Sequence, residues 1–409
     1  MPDYRSPGVY VEEIDSGARP IEAVGTSTAG FVGVAPRTDI GIGDAVAINN
    51  WSQFVRTFVP AGLKPEELAK LAGNDLANAV YGFFLNGGSR CYIGAIAKNA
   101  PLKGKGAGLD ALGLIDEIAI IAAPGRTDIA SYNDLVESAQ LLGDRIAVLD
   151  APPTAVDVEQ LTRVATLPEP KGDGGGGGGG GGGGTKSGLR PPENDKGFGA
   201  FYFPWLRVRD ALDPGQTVSA PPSGHIAGIY ARTDAERGVH KAPANIVVRG
   251  ALGLTQLVST AEQGVLNPAG VNCIRFFTRE GIRVWGARTI APAANNWRYL
   301  NVRRLFNMIE ESIAISTRWV VFEPNDRTLW KAIQRDVSAF LTLQWRQGAL
   351  AGARPHDAFF VKCDEETNPP DVIDAGQVVV MIGIAPVKPA EFVIFRIGQS
   401  QSGATVESV

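Results

Sequence analysis

The most informative stretch of the chain is residues 118–150, IAIIAAPGRTDIASYNDLVESAQLLGDRIAVLD. Its two ends, 118–122 and 146–149, are short runs of isoleucine, valine, alanine and leucine, which are typical of buried strands. Between them, residues 131–142 have the apolar spacing of an amphipathic helix. A strand, a helix and a second strand in this order predict a βαβ unit with parallel strands. The predicted fold class is therefore α/β.

Apolar runs on both sides extend this predicted sheet. Residues 29–36, AGFVGVAP, read as a buried strand that ends at a proline, and residues 91–97 read as another strand. Helical spacing over 65–85 predicts one helix between them. Sheet patterning resumes after the middle of the chain at 200–208, AFYFPWLRV.

The last third of the chain alternates predicted strands with two long helices. We predict a pair of strands within 276–289 that turns at Gly281, and later strands at 359–363 and 378–384. Two amphipathic helices are predicted between these strands, at 299–317 and 326–347. The buried face of the second predicted helix comprises Leu329, Ile333, Val337, Phe340 or Leu341, and Trp345.

Eleven consecutive glycines, 174–184, stand inside the polar stretch 168–196. A polyglycine run has high backbone entropy and no side chain to bury, so we predict a flexible surface insertion. An alternative is that the run stands in for residues whose identity could not be assigned.

The composition excludes several classes of protein. The 409 residues are 44% hydrophobic and 20% charged, which excludes wholesale disorder. The net charge of -4 argues against a dedicated nucleic-acid binder. The first residues lack a signal peptide's pattern, and apolar runs fall short of the roughly 18 residues of a membrane span. We therefore expect no export signal and no membrane insertion.

Catalytic and metal-binding patterns are weak. The stretch 106–111 matches GxGxxA but follows no predicted strand, so we interpret it as a loop. A triad of a serine with Asp150 and His225 or His240 would rest on residue types alone. The three cysteines are widely separated and form no CxxC pair, and no histidine spacing suggests a metal site. We predict no catalytic residues, no metal and no cofactor.

Charge is distributed unevenly. Residues 271–354 contain 13 basic and 6 acidic side chains, whereas 355–409 contain 3 and 8, and 1–24 contain 2 and 5. This pattern is compatible with solvated faces and internal ion pairs. It is also compatible with basic helix faces that bind an acidic partner and acidic ends that meet basic surfaces of sister subunits.

Both ends of the chain contain short β-prone segments bordered by proline or polar residues. Each segment could be an edge strand of its own domain, or it could complete the sheet of a neighbouring copy through main-chain hydrogen bonds. The candidate intersubunit strand residues are Val9, Tyr10, Val11, Phe392, Val393, Ile394, Phe395 and Ile397.

Stretches spread along nearly the whole chain resemble the contractile tail sheath proteins of bacteriophages, R-type pyocins and contractile injection systems. The region 98–189 is the least characteristic. The stretches that carry the resemblance are SPGVYVEE (6–13), TSTAGFVGVAP (26–36), NGGSRCYI (86–93), GAFYFPWLRV (199–208), PPSGHIAGIYARTDAERGVHKAPAN (221–245), LNPAGVNCIRFFTREGIRVWGART (266–289), VFEPNDRTLW (321–330) and IAPVKPAEFVIFRI (384–397).

The resemblance implies a domain organisation. Residues 1–24 and 392–409 would be linking arms, 25–275 an α/β outer domain of subtilisin-like topology, and 276–391 an α+β inner domain that faces a tube. It also implies a structural function without cofactors: a helical homopolymer, assembled in the bacterial cytoplasm, that contracts from a metastable extended state. Its partners would be further copies of itself, the inner tube, the baseplate and a terminal cap. The alternatives are a degenerate subtilisin-like hydrolase and a static capsid or tube subunit.

The second long helix, 326–347, also supplies a candidate surface for the tube. Opposite its predicted buried side, a polar face includes Ser338 and Thr342. The candidate tube-facing residues on this face are Lys331, Arg335 and Arg346. The alternative is that this face is solvated or covered by other sheath residues.

Overall fold

The structure is a computed structural model of the chain, and it describes residues 20–37, 39–104, 106, 108–166 and 188–394. Several sequence predictions lie outside these residues. They are the strand residues Val9, Tyr10, Val11, Phe395 and Ile397 and the glycine run 174–184.

Strands occur near most of the positions predicted within the described residues, and several further strands were not predicted. Their bounds are β1 (Ala29–Gly33), β2 (Val46–Ile48), β3 (Cys91–Ala95), β4 (Ile120–Ala122), β5 (Ile146–Asp150), β6 (Gly199–Phe203), β7 (Leu206–Arg209), β8 (Thr217–Ala220), β9 (Ile246–Val247), β10 (Ala251–Leu254), β11 (Val271–Phe277), β12 (Gly281–Val284), β13 (Phe359–Lys362) and β14 (Met381–Ile384).

The helices lie mostly between these strands. Their bounds are α1 (Trp51–Phe58), α2 (Pro65–Ala69), α3 (Asp75–Asn86), α4 (Gly108–Leu112), α5 (Ile129–Leu142), α6 (Ser223–Arg237), α7 (Thr260–Leu266), α8 (Leu300–Ser316), α9 (Arg327–Arg346), α10 (Pro355–Ala358) and α11 (Pro370–Asp374).

Within the described ranges, the main sheet has nine strands in the order β2-β3-β1-β4-β5-β6-β11-β12-β9. The pairs from β3 to β11 are parallel. The outer pairs β2-β3, β11-β12 and β12-β9 are antiparallel. The prediction of an α/β fold with parallel central strands is confirmed, in a sheet that is mixed at its edges.

Helices cover both faces of the parallel strands, which explains why those strands are apolar throughout. Adjacent residues of β1, Phe31 and Val32, belong to two different apolar clusters. Val80 of α3 and Ile226 of α6 pack in the first cluster. Leu135 of α5 packs in the second.

Two helix predictions differ from the structure. The predicted helix at 65–85 is two helices, because Gly73 adopts a φ of +76° and the Asn74 side chain caps α3 by accepting a hydrogen bond from the Ala77 amide. The stretch 106–111, interpreted as a loop, contains the first residues of α4. There Gly108 lies against Gly94 of β3, and a Cβ at Gly108 would come within 2.3 Å of the Gly94 carbonyl oxygen.

Helix α6 was not predicted from the sequence. The glycines of this segment lower its helix propensity, and in the structure they allow close packing against α3. A Cβ at Gly224 would lie 2.2 Å from the Ala79 carbonyl oxygen, and one at Gly228 would lie 2.4 Å from that of Phe83. Glycine is less favourable than alanine inside a helix by about 1 kcal/mol. At these two positions glycine allows the backbones of α6 and α3 to come into contact.

A third apolar cluster lies outside the main sheet and unites α8, α9 and the antiparallel strand pair β13-β14. Leu305 and Ile309 of α8 and Val337 and Leu341 of α9 are buried in it. The predicted buried face of α9 is confirmed, with Trp345 packed at the margin. Strand β11 continues across the predicted domain boundary at residues 275 and 276, and the domain limits stay a prediction.

The C-terminal end of the predicted insertion 168–196 is built into the fold. Arg190 is buried, and its backbone forms hydrogen bonds with those of Arg163 and Ala165. A Cβ at Gly188 would lie 2.1 Å from the Arg163 carbonyl oxygen. The part of the insertion to which the surface-loop prediction still applies is therefore 168–187.

Candidate functional site

The outer face of α9 carries the three cations predicted from the sequence. Asp326 caps the helix by accepting a hydrogen bond from the Leu329 amide, which fixes its first turn. Lys331 is exposed and donates to the Gln334 side chain at 3.2 Å. The Arg335 Nε lies 3.0 Å from the Asp336 carboxylate, and Arg346 is exposed in the last turn.

The residues between these cations differ from the prediction. Ser338 and Thr342 are half-buried, and the Thr342 hydroxyl donates to the Ser338 carbonyl oxygen. The exposed positions are Ala339 and Leu343 instead. The polar face predicted from the sequence is therefore displaced around the helix from the face that is exposed in the structure. Two polar residues of α9, Asp336 and Gln344, are buried.

The described part of the N-terminal segment is fixed to two helices. The Val24 amide donates to the Ser312 hydroxyl of α8 at 3.0 Å. The Thr26 hydroxyl donates to Asp234 of α6 at 2.5 Å. Arg304 of α8 donates to both oxygens of Asp234, at 2.9 and 2.6 Å, and to the Thr26 carbonyl oxygen at 3.0 Å. We call this set of contacts the N-terminal clamp.

A corresponding set of contacts, the C-terminal clamp, fixes the chain at Glu391. Arg288 donates to both Glu391 carboxylate oxygens, at 2.9 and 2.6 Å, and Asn267 donates to one of them at 2.7 Å. Burial alone would raise the pKa of Glu391, but the hydrogen bonds from Arg288 and Asn267 outweigh it and lower that pKa. The next three residues, Phe392 to Ile394, have exposed side chains.

A groove of about 670 Å³ lies beside the C-terminal clamp. Its walls are α7, the segment 285–288 after β12, and residues 389–393. We call it the arm-base groove. Apolar side chains such as Trp285 and Pro268 line most of it, and its cations are Lys241, Arg275 and the Arg288 of the C-terminal clamp.

Comparison with known proteins matches most of this architecture. Residues 202–290 match the model of the phage tail sheath protein central domain, and 293–400 match that of the phage tail sheath C-terminal domain. The cryo-EM structure of the PVC sheath complex, from an extracellular contractile injection system in the contracted state, is 30% identical to this chain. Its TM-score is 0.72, and the match covers 98% of this chain and 99% of that one. The chain belongs to the phage tail sheath family.

Other tail sheath proteins are similar over shorter or comparable lengths. A chain in the cryo-EM structure of the anti-feeding prophage baseplate is 30% identical, with a TM-score of 0.74, and the match covers 97% of this chain and 100% of that one. The tail sheath protein of Vibrio phage KVP40 is 30% identical over 42% of this chain. A putative prophage major tail sheath protein of Pseudomonas aeruginosa is 28% identical over 46% of it. These two matches span 25% and 50% of the relatives' own lengths.

Family membership confirms the predicted structural, non-enzymatic role of the sheath chain. The triad considered from the sequence does not form among the described residues. Asp150 accepts hydrogen bonds from the Ser223 amide and hydroxyl and from the Gly125 amide, and it has no bond to a histidine. Burial lowers the pKa of His225 to about 4, and its Nδ1 has no partner among the described residues.

Asp150 is buried and lies near a second, half-buried carboxylate, Asp75. Burial raises the pKa of Asp150 to about 7, an effect that the hydrogen bonds from Ser223 and Gly125 oppose and nearby Asp75 reinforces. Burial likewise raises the pKa of Asp75, the first residue of α3, to about 6. In the described ranges, no group of three or more potential metal ligands occurs, and no helix could span a membrane.

Sequence reasoning missed both clamps. Their partners are far apart in the chain, so no local pattern links Arg288 to Glu391 or Arg304 to Asp234. One signal was available, because each of these acids stands in a stretch on which the family resemblance rests. A single carboxylate between apolar residues, as in KPAEFVIF, indicates a buried partner.

Proposed function

We propose that this chain is the repeating subunit of a contractile sheath in a phage tail or phage-tail-like injection particle. The observation that carries the proposal is the match over nearly the full length to a sheath complex in its contracted state. A second solved relative is a helical sheath in the same state. The sheath polymerises around an inner tube in a metastable extended form and drives that tube through a target envelope when it contracts.

The mechanism requires two packings of one subunit. Contacts between different surfaces of identical copies do not close on themselves and generate a helical polymer. The extended packing is kinetically trapped, and a signal from the baseplate releases it. Contraction then needs no nucleotide, because the free energy was stored at assembly. The stable α/β sheet of each subunit moves as a rigid body during this change.

The terminal segments link the subunits in this proposal. The linking residues are those predicted from the sequence: Val9, Tyr10, Val11, Phe392, Val393, Ile394, Phe395 and Ile397. Exposure of the apolar side chains at 392–394 beside a fixed Glu391 supports an intersubunit role for the C-terminal segment. The two clamps give each linking segment a defined point of departure.

Helix α9 contacts the tube in this proposal, through Lys331, Arg335 and Arg346. A sheath must hold the tube before contraction and release it afterwards, so weak contacts in many copies suit it better than a large apolar interface. Exposed ion pairs contribute about 0 to 1 kcal/mol each. The exposed cations of α9 fit acidic groups on a tube subunit.

The remaining predictions also belong to the proposal. Residues 25–275 form an outer domain of subtilisin-like topology, and 276–391 form the inner, tube-facing domain. The sheath assembles in the bacterial cytoplasm and binds baseplate and terminal cap proteins. The parallel strands from β1 to β6, covered by helices on both faces, support the assignment of the outer domain.

Electron microscopy of the purified full-length chain tests the proposal. We expect hollow, striated helical cylinders, the form that a contracted sheath takes without its tube. A chain that stays monomeric at high concentration, or that forms closed shells, would contradict the proposal.

The tube contact has a separate test in particles assembled with the tube protein. Lys331→Glu with Arg335→Glu should give tubeless or prematurely contracted sheaths, while the sheath chain alone still forms cylinders. A matched control reverses two exposed arginines of β7, Arg207→Glu with Arg209→Glu, and should leave extended particles intact. Extended particles of normal length from the α9 variant would mean that the tube binds another surface of the sheath subunit.

A further inference from the structure

The loop between α8 and α9 presents an unusual apolar tip. Phe322 is fully exposed, and its backbone has a φ of +71°. The left-handed region is sparsely populated by bulky side chains and is energetically unfavourable for them. The neighbouring Val321 is 64% exposed. The fold thus holds an aromatic side chain outward, in a strained conformation that leaves it fully exposed among the described residues.

The tip is fixed on a rigid base. The Trp330 Nε1 of α9 donates to the Asn325 side chain at 2.8 Å, and Asn325 in turn donates to the Gln377 carbonyl oxygen at 2.8 Å. The Glu323 amide donates to the Val320 carbonyl oxygen at 3.1 Å. Because these bonds fix the loop on both sides of Phe322, the exposed ring is a preorganised projection.

The tip also carries a charge that is not neutralised. Glu323 follows Phe322 directly, its side chain is exposed, and no cation lies within ion-pair distance of it among the described residues. The tip, defined as Val321, Phe322 and Glu323, therefore combines an apolar surface with one unpaired carboxylate.

The arm-base groove has the complementary properties. It is mostly apolar and large enough for an aromatic side chain. Its Arg275 donates only to the neutral oxygens of Gln263 and Thr260 within the described part of the chain, at 2.8 and 3.1 Å. Lys241 donates to the Ala242 carbonyl oxygen. Glu391, the carboxylate that borders the groove, is already committed to Arg288.

We propose that the tip of one copy of this chain inserts into the arm-base groove of a second copy, with Phe322 between the apolar walls and Glu323 paired with Arg275. The two surfaces are complementary in apolar character and charge. They are different surfaces, so each copy can offer its tip to one neighbour and its groove to another. A contact of this type does not close on itself and propagates a helical polymer. The inference rests on the proposed sheath function and adds a named contact to it.

Photo-crosslinking in assembled cylinders tests the contact directly. The full-length chain carries benzoylphenylalanine at position 322, and labelled and unlabelled chains are mixed so that mass spectrometry identifies links between copies. We expect links from position 322 to residues 260–268, 285–288 or 389–393 of another copy. The same probe at position 156, whose native valine is fully exposed, is the control and should not label the groove.

Charge reversal provides a second, independent test. Phe322→Ala and Glu323→Arg should each raise the critical concentration for cylinder formation about tenfold. Arg275→Glu should do the same, and combining it with Glu323→Arg should restore assembly to within about threefold of the unmodified chain. Circular dichroism establishes that each variant is folded.

The outcomes separate this inference from the proposed function. Cylinders in which position 322 links only to other surfaces, or a double reversal no better than the worse single reversal, overturn the tip-and-groove contact and leave the sheath function intact. An unmodified chain that forms no polymer overturns both. Should Arg275→Glu fail to fold, the crosslinking result decides, because it leaves the groove unmodified.

Discussion

The two clamps use the same chemistry at different depths. Arg304 and Asp234 of the N-terminal clamp are 3% and 6% exposed in their side chains, whereas Arg288 and Glu391 of the C-terminal clamp are 7% and 20% exposed. Burial strengthens the attraction between charges and also makes an unpaired charge more costly. The N-terminal segment is therefore held by a core interaction, and the C-terminal segment by one that water can reach.

This difference suggests unequal contributions of the two clamps to stability. The N-terminal clamp joins α6, which packs on the main sheet, to α8 of the third apolar cluster. Its loss would therefore destabilise the contact between these two parts of the fold. The C-terminal clamp joins one segment to Arg288, which follows strand β12. We expect mutations at both clamps to reduce stability, with the larger loss at the first.

Breaking the N-terminal clamp should have the largest effect. Asp234→Ala leaves the buried Arg304 guanidinium without its carboxylate, and we expect the free energy of unfolding to fall by about 4 kcal/mol. Urea unfolding monitored by tryptophan fluorescence measures this loss. Asp374→Ala removes an exposed aspartate of α11 and should change the stability by less than about 0.5 kcal/mol. A loss below about 1 kcal/mol for Asp234→Ala would contradict the deeper burial of this clamp.

Breaking the C-terminal clamp should cost about 2 kcal/mol, because Glu391→Gln removes a charge-assisted pair that is partly exposed. The same urea measurement tests this, with the exposed Glu22→Gln as control. The pKa of Glu391 is lowered in the folded chain, so its contribution is present above the unfolded pKa of about 4.3. That contribution is lost as the pH falls through the folded pKa. A Glu391→Gln effect that is equal at pH 7 and pH 3 would contradict the ion pair.

The acidic pair Asp75 and Asp150 provides the opposite case, two carboxylates whose pKa values are lowered by no cation of the described residues. Their raised pKa values, about 6 and about 7, mean that the folded chain holds these protons more tightly than the unfolded chain. Stability from this pair should therefore fall as the pH rises from about 4 to about 7. Asp75→Asn should stabilise the chain by about 1 to 2 kcal/mol at pH 8 and have little effect at pH 4. Destabilisation at pH 8 would show that the Asp75 charge has a partner.

The smallest effect is expected for the glycine-rich insertion. Replacing residues 168–187 with a short Gly-Ser linker should change the free energy of unfolding by less than about 1 kcal/mol, because loop-closure entropy depends weakly on length. Extending the replacement through 196 should cost more, since it removes the backbone pairing of Arg190. Equal stability of the two replacements would mean that this pairing contributes nothing.

The regular parts of the fold could be predicted because their signals are local. Apolar runs located the parallel strands, and a spacing of three and four residues located α8 and α9 with their buried faces. Helix α6 was missed because Gly224 and Gly228, which weaken a helix locally, are required by its contact with α3. At these two positions helix propensity disfavours glycine, whereas packing against α3 requires it.

The site was less predictable, for a related reason. The cations Lys331, Arg335 and Arg346 were found because they share one helix face. The clamps depend on partners about 70 and 100 residues apart, which no spacing rule relates. The outward position of Phe322 could not be predicted either, because an aromatic residue in an apolar stretch ordinarily indicates the core.

The C-terminal clamp also defines a path for mechanical load. Glu391 accepts hydrogen bonds from the Arg288 side chain. The Arg288 backbone forms two hydrogen bonds with the Asn272 side chain of β11, one as donor and one as acceptor, each 2.7 Å long. Strand β11 pairs in parallel with β6, one of the parallel central strands of the main sheet. A pull on the C-terminal segment therefore enters the sheet at β11, an interior strand, through several bonds that carry the force together. In a machine that does its work in one stroke, tension reaching each subunit would be spread across the sheet before it could peel away an edge strand.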